Sequence, residues 1–320
     1  MADCPICKVD SVHMQLFTRG AIKSALLNDV SVKFSDDAIV CDYDLFKCPQ
    51  CTLQHAWPLV PAEAPFYDTL ALKEWYFPKL RWEWDIVIHE MVKKEHFSLL
   101  EVGCGSGAFL KRLPAGILGI GMDLTPSVVA ECQKQGLQVY EGALEKFREK
   151  YGKRIGLVDC AVAFHCLEHV ADPVSFVKSM SELISPQGSI FVSTPYSPMC
   201  YEHLWPDPLN APPHHMTRWN RQSYENLAER LGLGVRFYSP RAPSLLSRSV
   251  RSFSLLGRGP MALRSRSQTL FKMALSPIQF ISEIRHQKSR DRINGQIASD
   301  VVLVEFQSAR RRADLDRVDG

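Results

Sequence analysis

Residues 99–123 read LLEVGCGSGAFLKRLPAGILGIGMD, and this stretch decides the fold. An apolar run typical of a buried parallel strand leads into glycines at alternate positions 103, 105 and 107. A second apolar run follows and ends in Asp123. Glycine permits a tight turn and a close ligand, because it has no Cβ. The stretch predicts a strand, a glycine loop, a helix from about Ala108 and a second strand, with Asp123 placed to bind the hydroxyls of a ribose.

The glycine loop distinguishes between two kinds of nucleotide site. A nicotinamide site has the pattern GxGxxG, whereas this loop reads EVGCGSG, with Glu101 two residues before the first glycine. The loop resembles the first motif of class I S-adenosylmethionine-dependent methyltransferases. That resemblance implies that Glu101 helps to hold the methionine amino group and that Asp123 holds the ribose. A purely structural turn would account for the glycines but for neither acid.

A second motif follows the fourth predicted strand. Residues 165–173 read HCLEHVADP, which resembles the LEH…DP signature of one large branch of these methyltransferases. The loop is expected at the carboxyl end of the central strand, where open α/β sheets bind ligands. Where many members have an acid that receives the adenine amino group, this chain has Ala143, so backbone groups of Ala143 and Leu144, or Glu145, would do so. The resemblance implies that the cofactor-binding residues are Glu101, Gly103, Cys104, Gly105, Gly107, Asp123, Leu124, Ala143, Leu144, Phe164 and His165.

Histidines dominate the candidate catalytic residues. Residues 214–219 read HHMTRW and resemble the family's HH(L/M)TxW stretch, which we expect to form one wall of the substrate cavity. Transfer of a methyl group to a hydroxyl or amine is assisted by a base within hydrogen-bond reach. We rank His165 and His215 ahead of Glu168 and His169, since the latter two could instead brace their loop. The full set of candidates is His165, His215, Glu168, His169 and His214.

Two Cys-x-x-Cys pairs near the N-terminus predict a metal site. Cys4, Cys7, Cys48 and Cys51 can form a tetrahedron of thiolates with no open position, so we expect a structural zinc ion. Segments 30–34 and 39–43 read as short strands of a zinc ribbon. Two unrelated thiol pairs, or a redox pair, are the weaker alternatives.

The sequence predicts an α/β protein with a Rossmann-like, seven-stranded, mostly parallel sheet (the class I methyltransferase fold), preceded by the Cys4 zinc ribbon. A helix over 75–94 carries aromatic side chains that either pack in the core or cover the cofactor. The expected organisation is a zinc ribbon at 1–58, a linker with the aromatic-rich helix at 59–96, a methyltransferase domain at 97–308 that contains a basic amphipathic insertion at 241–295, and a tail at 309–320.

Composition and the distribution of apolar residues give an expectation for the cellular location of the protein. The chain has 320 residues, of which 46% are hydrophobic and 23% charged, as in ordinary globular proteins. We found neither an apolar run long enough to span a membrane nor the pattern of a signal peptide. These features predict a cytoplasmic protein, with peripheral membrane contact as the open alternative.

The expected partner is a small-molecule acceptor such as a sugar, a polyketide or a lipid-linked intermediate. Residues 241–282 carry seven Lys and Arg and no acid, with apolar side chains interleaved. That pattern suits an anionic membrane surface, a lipid-linked substrate or a carrier protein, and it equally suits a solvated helical lid. An RNA substrate is disfavoured, because residues 1–58 hold five Lys and Arg against seven Asp. A third alternative is a non-catalytic protein that binds S-adenosylmethionine.

Overall fold

The computed structural model describes residues 2–73, 75–77, 79–203, 207–240, 243–255, 266–293 and 299–308. The N-terminal elements are β1 (Val12–Phe17), α1 (Arg19–Val30), β2 (Tyr43–Lys47), β3 (Gln54–Trp57), α2 (Ala64–Ala71) and α3 (Trp82–Lys93). The central elements are β4 (Ser98–Val102), β5 (Leu118–Asp123), α4 (Pro126–Lys134), β6 (Val139–Glu141), α5 (Leu144–Ile155), β7 (Val158–Phe164), α6 (Pro173–Ser181) and β8 (Ile184–Pro195). The remaining elements are β9 (Thr217–Arg218), α7 (Arg221–Leu231), β10 (Leu233–Tyr238), α8 (Leu245–Leu255), α9 (Arg266–Leu275), α10 (Pro277–Ile293) and β11 (Val301–Ser308). The predicted tail at 309–320 lies outside the described residues.

The large sheet has seven strands in the order β10-β11-β8-β7-β4-β5-β6. Strands β8, β7, β4, β5 and β6 are parallel, and β11 runs antiparallel to both of its neighbours. Alternate residues of β4 serve opposite faces: Leu100 and Val102 pack with α5, α6 and α7, whereas Leu99 packs with α3 and α4. The predicted seven-stranded, mostly parallel sheet is therefore confirmed.

A smaller sheet joins the N-terminal module, which comprises β1, α1, β2 and β3, to the rest of the chain. Its order is β1-β2-β3-β9, and β9 belongs to the segment that directly follows His214 and His215. The predicted strands at 30–34 and 39–43 are wrong, because helix α1 ends at Val30 and β2 begins only at Tyr43. The alternating apolar residues there are buried against α1 and α2 but pair with no strand.

Two predicted helices are shorter than expected. The helix predicted over 75–94 begins only at Trp82. Trp75 and Leu80, which a helix over this range would have placed in the core, are 44% and 68% exposed. A proline at position 78 opposes a helix across this region. The helix predicted after the glycine loop is a single 3₁₀ turn, Leu110–Arg112, which ends where Leu113 turns extended before a proline.

Helices α8, α9 and α10 form a layer beside the loop that follows β8. Ser252 and Gln287 donate hydrogen bonds to the carbonyl oxygen of Cys200, at 2.9 and 2.6 Å. Arg290, itself buried, donates to the Pro198 carbonyl and to the carboxylate of Asp300. Within the described ranges, no helix has the length and apolarity needed to cross a bilayer.

Candidate active site

A single cavity of about 520 Å³ opens at the carboxyl ends of β4, β5 and β7. Every candidate catalytic residue lines it, and so does every predicted cofactor-binding residue except Gly107. A Cβ at Gly107 would lie 2.3 Å from the Leu137 side chain, so close packing explains that glycine. The fold therefore brings together two groups of residues that are far apart in the sequence.

The glycine loop is tied to the acid at the end of β5. Gly105 adopts φ +50°, and a Cβ there would lie 2.9 Å from the ring of Phe77. Its backbone N–H donates to Asp123 Oδ2 at 3.0 Å, and the N–H of Thr125 donates to Oδ1 at 2.9 Å. Gly105 is thus held against Asp123 and packed close to Phe77, where a larger residue would not fit.

Glu101 points into the same end of the cavity from β4. Its side chain is buried, and Oε2 has no hydrogen-bond partner among the described residues. Burial raises the pKa of Glu101 well above its usual range, the Asp123 carboxylate adds to the rise, and Arg81 opposes it. A buried carboxylate without a donor is costly, so this position fits a ligand with a cationic amino group. Glu101 and Asp123 therefore suit the cofactor that the sequence implies.

The third predicted contact region lies at the start of α5. Ala143 is the N-cap residue of that helix, and its side chain makes no capping hydrogen bond. Ala143, Leu144 and Glu145 all line the cavity. Backbone N–H groups at a helix start lack partners within the helix, so they are available to a ring with acceptor nitrogens.

His165 also lines the cavity, and its ring lies between two buried carboxylates. Its Nε2 is 3.2 Å from Glu83 Oε1, and its Nδ1 is 3.4 Å from Glu168 Oε1. Burial and the Arg81 guanidinium oppose protonation of the ring, but Glu168 and Glu83 outweigh them, so the pKa of His165 is raised. The backbone φ of +54° is rare for a residue other than glycine, and such strain concentrates at functional sites.

The LEH…DP motif divides into two roles. Asp172 caps α6 by accepting hydrogen bonds from the backbone N–H groups of Val174 and Ser175, and Pro173 opens the helix. Glu168 is 1% exposed, and neither carboxylate oxygen has a hydrogen-bond partner among the described residues. His169 holds the next loop through a 2.5 Å contact between its Nδ1 and the His214 carbonyl.

His214 and His215 line the same cavity. The Nδ1 of His214 lies 2.7 Å from the Leu209 carbonyl, and the Nδ1 of His215 lies 2.9 Å from the side-chain oxygen of Asn210. Burial lowers the pKa of both rings well below the usual range, so both are neutral at pH 7. Strand β9 begins two residues later and pairs with β3.

Several cavity residues were not among the predicted site residues. Arg81 and Tyr76 line the cavity, and the Tyr76 hydroxyl lies 3.3 Å from His214 Nε2. Glu83 is buried at the start of α3, 3.8 Å from Arg81 and 3.2 Å from His165. A signal for Glu83 exists in the sequence, because Glu83, Val87 and Glu90 share the buried face of one helix. Nothing in the sequence marks Arg81, whereas Tyr76 is one of the aromatic side chains in 75–94 that the sequence predicts either to pack in the core or to cover the cofactor.

The four N-terminal cysteines meet at one point. Their sulfur atoms lie within 4.8 Å of one another, with Cys4 and Cys51 3.6 Å apart. The N–H groups of Cys7 and Cys51 each point at the sulfur three residues earlier, at 3.4 Å. Lys8 and Thr52, directly after the two pairs, have φ near +58° and +59°. This arrangement suits a tetrahedral ion such as zinc.

A comparison with protein families decides the classification. A family model described as "Methyltransferase domain" matches residues 76–236, about half of the chain. The chain belongs to this methyltransferase domain family. The match begins at the residue that contacts His214 and ends within β10, so it includes the whole cavity wall described above.

Curated relatives of this methyltransferase domain align over a shorter stretch. The ubiquinone biosynthesis O-methyltransferase of Escherichia coli O7:K1 is 36% identical over 101 residues, which is 30% of this chain and 42% of that protein. The enzyme of the same name from Shigella boydii serotype 18 is 35% identical over the same shares. The chain thus spans less than half the length of these relatives.

Solved structures with a similar fold cover more of the chain. A SAM dependent methyltransferase from Archaeoglobus fulgidus is 14% identical, covers 70% of this chain and 94% of its own, and has a TM-score of 0.46. The plantazolicin methyltransferase BamL is 13% identical, covers 71% and 83%, and has a TM-score of 0.45.

Proposed function

We propose that this protein transfers the methyl group of S-adenosylmethionine to a hydroxyl oxygen of a small-molecule acceptor. The carrying observation is one cavity lined by two buried carboxylates that each have an oxygen without a hydrogen-bond partner among the described residues: Glu101 beside the glycine loop and Glu168 beside the histidines. The curated relatives named above are O-methyltransferases, which supports an oxygen acceptor. S-adenosylmethionine, when bound, supplies a methyl group already activated by its sulfonium.

The chain's own residues bind and orient the cofactor in this proposal. Asp123 holds the ribose hydroxyls, and Glu101 holds the cationic amino group. Arg81 lies close enough to Glu101 to influence its carboxylate, so this guanidinium is our candidate for the cofactor's own carboxylate. Phe77 and Trp84 cover the glycine loop from α3 and the segment before it, and they exclude water from the reacting centre.

The proton of the acceptor requires a base, and the geometry favours Glu168 over His165. Both ring nitrogens of His165 already face carboxylates, so that ring has no free lone pair to offer. Glu168 lines the cavity, where its Oε1 faces His165 at 3.4 Å and its Oε2 has no partner among the described residues. The raised pKa of His165 places a positive charge beside this carboxylate. We therefore propose Glu168 as proton acceptor and His165 as the residue that positions it.

Isotope-labelled S-adenosylmethionine and a panel of small phenols, catechols and sugars test this proposal. Glu168→Gln should lower kcat about 100-fold or more, while the affinity for S-adenosylhomocysteine, measured by calorimetry, stays within twofold. Glu182→Gln is the matched control, because Glu182 is an exposed acid outside the cavity that pairs with Arg148. Absence of S-adenosylhomocysteine binding, or an unchanged kcat in Glu168→Gln, contradicts the proposal.

We also propose that α9 and α10 bring the protein to an anionic membrane surface from which the acceptor is taken. Several large apolar side chains of these helices are exposed: Leu270, Phe271, Leu275, Ile278 and Ile281. Exposed Arg285, Lys288 and Arg292 continue the face of α10 that begins with Ile278 and Ile281. Arg248 does not contribute, since its guanidinium is bound to both oxygens of Asp291.

Vesicles of phosphatidylglycerol and phosphatidylcholine test the membrane contact. Binding should require the anionic lipid, weaken with salt, and fall at least tenfold when Leu270 and Phe271 are both changed to Ser. Leu72→Ser is the control, because Leu72 is 84% exposed and lies far from these helices in the sequence. A wild-type protein that ignores anionic vesicles at low salt contradicts the proposal.

We propose, finally, that Cys4, Cys7, Cys48 and Cys51 hold a structural zinc ion, and that the predicted boundaries 1–58, 59–96 and 97–308 describe the chain's organisation. The convergence of the four sulfurs supports the ion. Elemental analysis should give at least one zinc per chain in protein purified without chelator.

A further inference from the structure

Three histidines from two separate segments face one another in the acceptor end of the cavity. One ring nitrogen from each of His169, His214 and His215 lies within 4.8 Å of the other two. Their ring centroids are 4.6, 4.9 and 4.7 Å apart. Neither methyl transfer nor binding of the cofactor explains why three imidazoles should converge.

Each of these rings has its Nδ1 against an oxygen that can only accept a hydrogen bond. The partners are the His214 carbonyl for His169, the Leu209 carbonyl for His214 and the Asn210 side-chain oxygen for His215, at 2.5, 2.7 and 2.9 Å. A nitrogen that faces such an oxygen carries the proton, so the lone pair of each ring lies on Nε2. Histidines that bind metals are oriented in this way, with the other nitrogen donating to an oxygen of the protein.

The lone pairs on Nε2 lack sufficient donors in the protein. The Tyr76 hydroxyl lies 3.3 Å from the Nε2 of His214 and can donate to it. Within the described part of the chain, the Nε2 atoms of His169 and His215 contact no hydrogen-bond donor. A cation at the centre would satisfy all three lone pairs at once.

We propose that His169, His214 and His215 bind a divalent transition-metal ion of the zinc type through their Nε2 atoms. Imidazole nitrogens suit such ions, and three protein ligands leave a fourth position open towards the cavity. Metal–nitrogen bonds of about 2.1 Å place the ligands about 3.4 Å apart. The ring nitrogens, which already lie within 4.8 Å of one another, would need to take up this spacing when the ion binds.

The role of the ion rests on the proposed function. At the open position it accepts a lone pair of the acceptor hydroxyl and makes that hydroxyl more acidic. The proton passes to the Glu168 carboxylate, the oxygen forms a bond to the methyl carbon, and the bond from that carbon to the sulfonium sulfur breaks. No oxidant or reductant is needed, since the electron pair of the broken bond stays on sulfur.

Cobalt(II) titration of the protein as purified tests the site directly. We expect one equivalent of Co²⁺ to bind with weak visible bands and without the intense near-ultraviolet bands of a cobalt thiolate. His169→Gln and His215→Gln should each weaken this binding at least tenfold, and Asn210→Ala, which removes the support of His215, about 10–100-fold. His89→Gln is the matched control, because His89 is an exposed histidine of α3 outside the cavity.

Folding is checked in each variant by circular dichroism and by S-adenosylhomocysteine affinity, which should stay within twofold. The proposal is overturned if folded wild type binds no Co²⁺ beyond the cysteine site, or if His169→Gln and His215→Gln bind it as tightly as wild type. Tight binding by wild type without methyl transfer to any acceptor would contradict the proposed function and leave the metal site standing. Unchanged transfer after loss of the ion would overturn its catalytic role.

Discussion

Two regions of the cavity, which we name the cofactor end and the acceptor end after the proposed function, are built in opposite ways. The cofactor end comes mainly from a continuous stretch, β4 to α5, in which one glycine loop is held by Asp123. The acceptor end is assembled from residues before α3, after β7 and before β9. Side-chain contacts to backbone carbonyls and the contact of the Tyr76 hydroxyl with His214 join these segments. A local motif therefore sets one end, and long-range packing sets the other.

This difference predicts different sensitivities. The glycine loop depends on the large sheet, whose core surrounds β4 on both faces. The histidine segment, residues 214–219, also depends on the small sheet. The Ala56 N–H donates to the Met216 carbonyl at 2.8 Å, and His55 pairs with Thr217. Disturbance of the N-terminal module should reach the acceptor end first.

The largest expected effect comes from removing a zinc ligand. Cys48→Ser should unfold the N-terminal module, because this small module depends on metal binding for much of its stability. With β3 lost, the histidines shift, and a displacement of about 1 Å can cost about 100-fold in rate. We expect methyl transfer to fall by about that factor while S-adenosylhomocysteine affinity changes only a few fold, measured by calorimetry.

Cys41→Ser is the control for that experiment, since Cys41 lies in the same module but outside the metal cluster. This variant should retain both methyl transfer and the affinity for S-adenosylhomocysteine. Cofactor affinity that falls as much as methyl transfer in Cys48→Ser would show that the two ends of the cavity belong to one folding unit. That result would contradict the expected difference in sensitivity between the two ends.

A smaller effect, confined to the cofactor end, is expected from Asp123→Ala. The variant loses charge-assisted hydrogen bonds to two hydroxyls, worth about 1.5–3 kcal/mol each. S-adenosylhomocysteine should bind at least tenfold more weakly, whereas Co²⁺ binding at the histidines should be unchanged. Asp85→Ala, which removes an exposed acid paired with Arg112, serves as control. Unaltered cofactor affinity in folded Asp123→Ala would remove this residue from the site.

The smallest effect concerns stability and pH at the acceptor end. Because the pKa of His165 is raised in the folded protein, its ion pairs stabilise that state fully below the unfolded pKa of about 6.5, and the contribution disappears as pH rises through the folded value. Glu83→Gln removes one of the two carboxylates that pair with His165, so it reduces this pH-dependent contribution to stability. We expect wild type to exceed the variant in Tm by a few degrees near pH 6 and by less near pH 9. A Tm difference that is constant across this range argues against a charged His165.

The elements that sequence predicts well are those defined by short-range patterns. The strands around the glycine loop follow from apolar runs and glycines, and they are within one or two residues of their predicted bounds. In the N-terminal module the alternation at Val30, Val32 and Phe34 indicates burial correctly but not strand pairing. Alternation reports which side chains face a core, and a helix can cover that core as well as a sheet can.

The residues of the candidate site show the same difference between short-range patterns and long-range packing. Glu101 and Asp123 were predictable because each follows from its position in a motif that one strand, one turn and one further strand impose. Arg81, which lines the cavity, and Asn210, which contacts His215, were not, since they reach the site only through the packing of α3 and the loops beside it. Tyr76 was marked only as one of several aromatic residues, without its contact to His214. The local sequence around these residues contains no spacing that marks a ligand.

The pairing of β9 with β3 has a consequence for anyone who shortens the chain. A cut after residue 58 looks safe, because a complete seven-stranded sheet would remain. It would instead leave Thr217 and Arg218 as a bare strand edge and uncover Met216 and Trp219, which are now fully buried. Exposed edges and apolar patches of this kind promote aggregation. Any shortened or chimeric form of the protein should therefore keep the N-terminal module together with the segment that contains β9, because β3 pairs with β9.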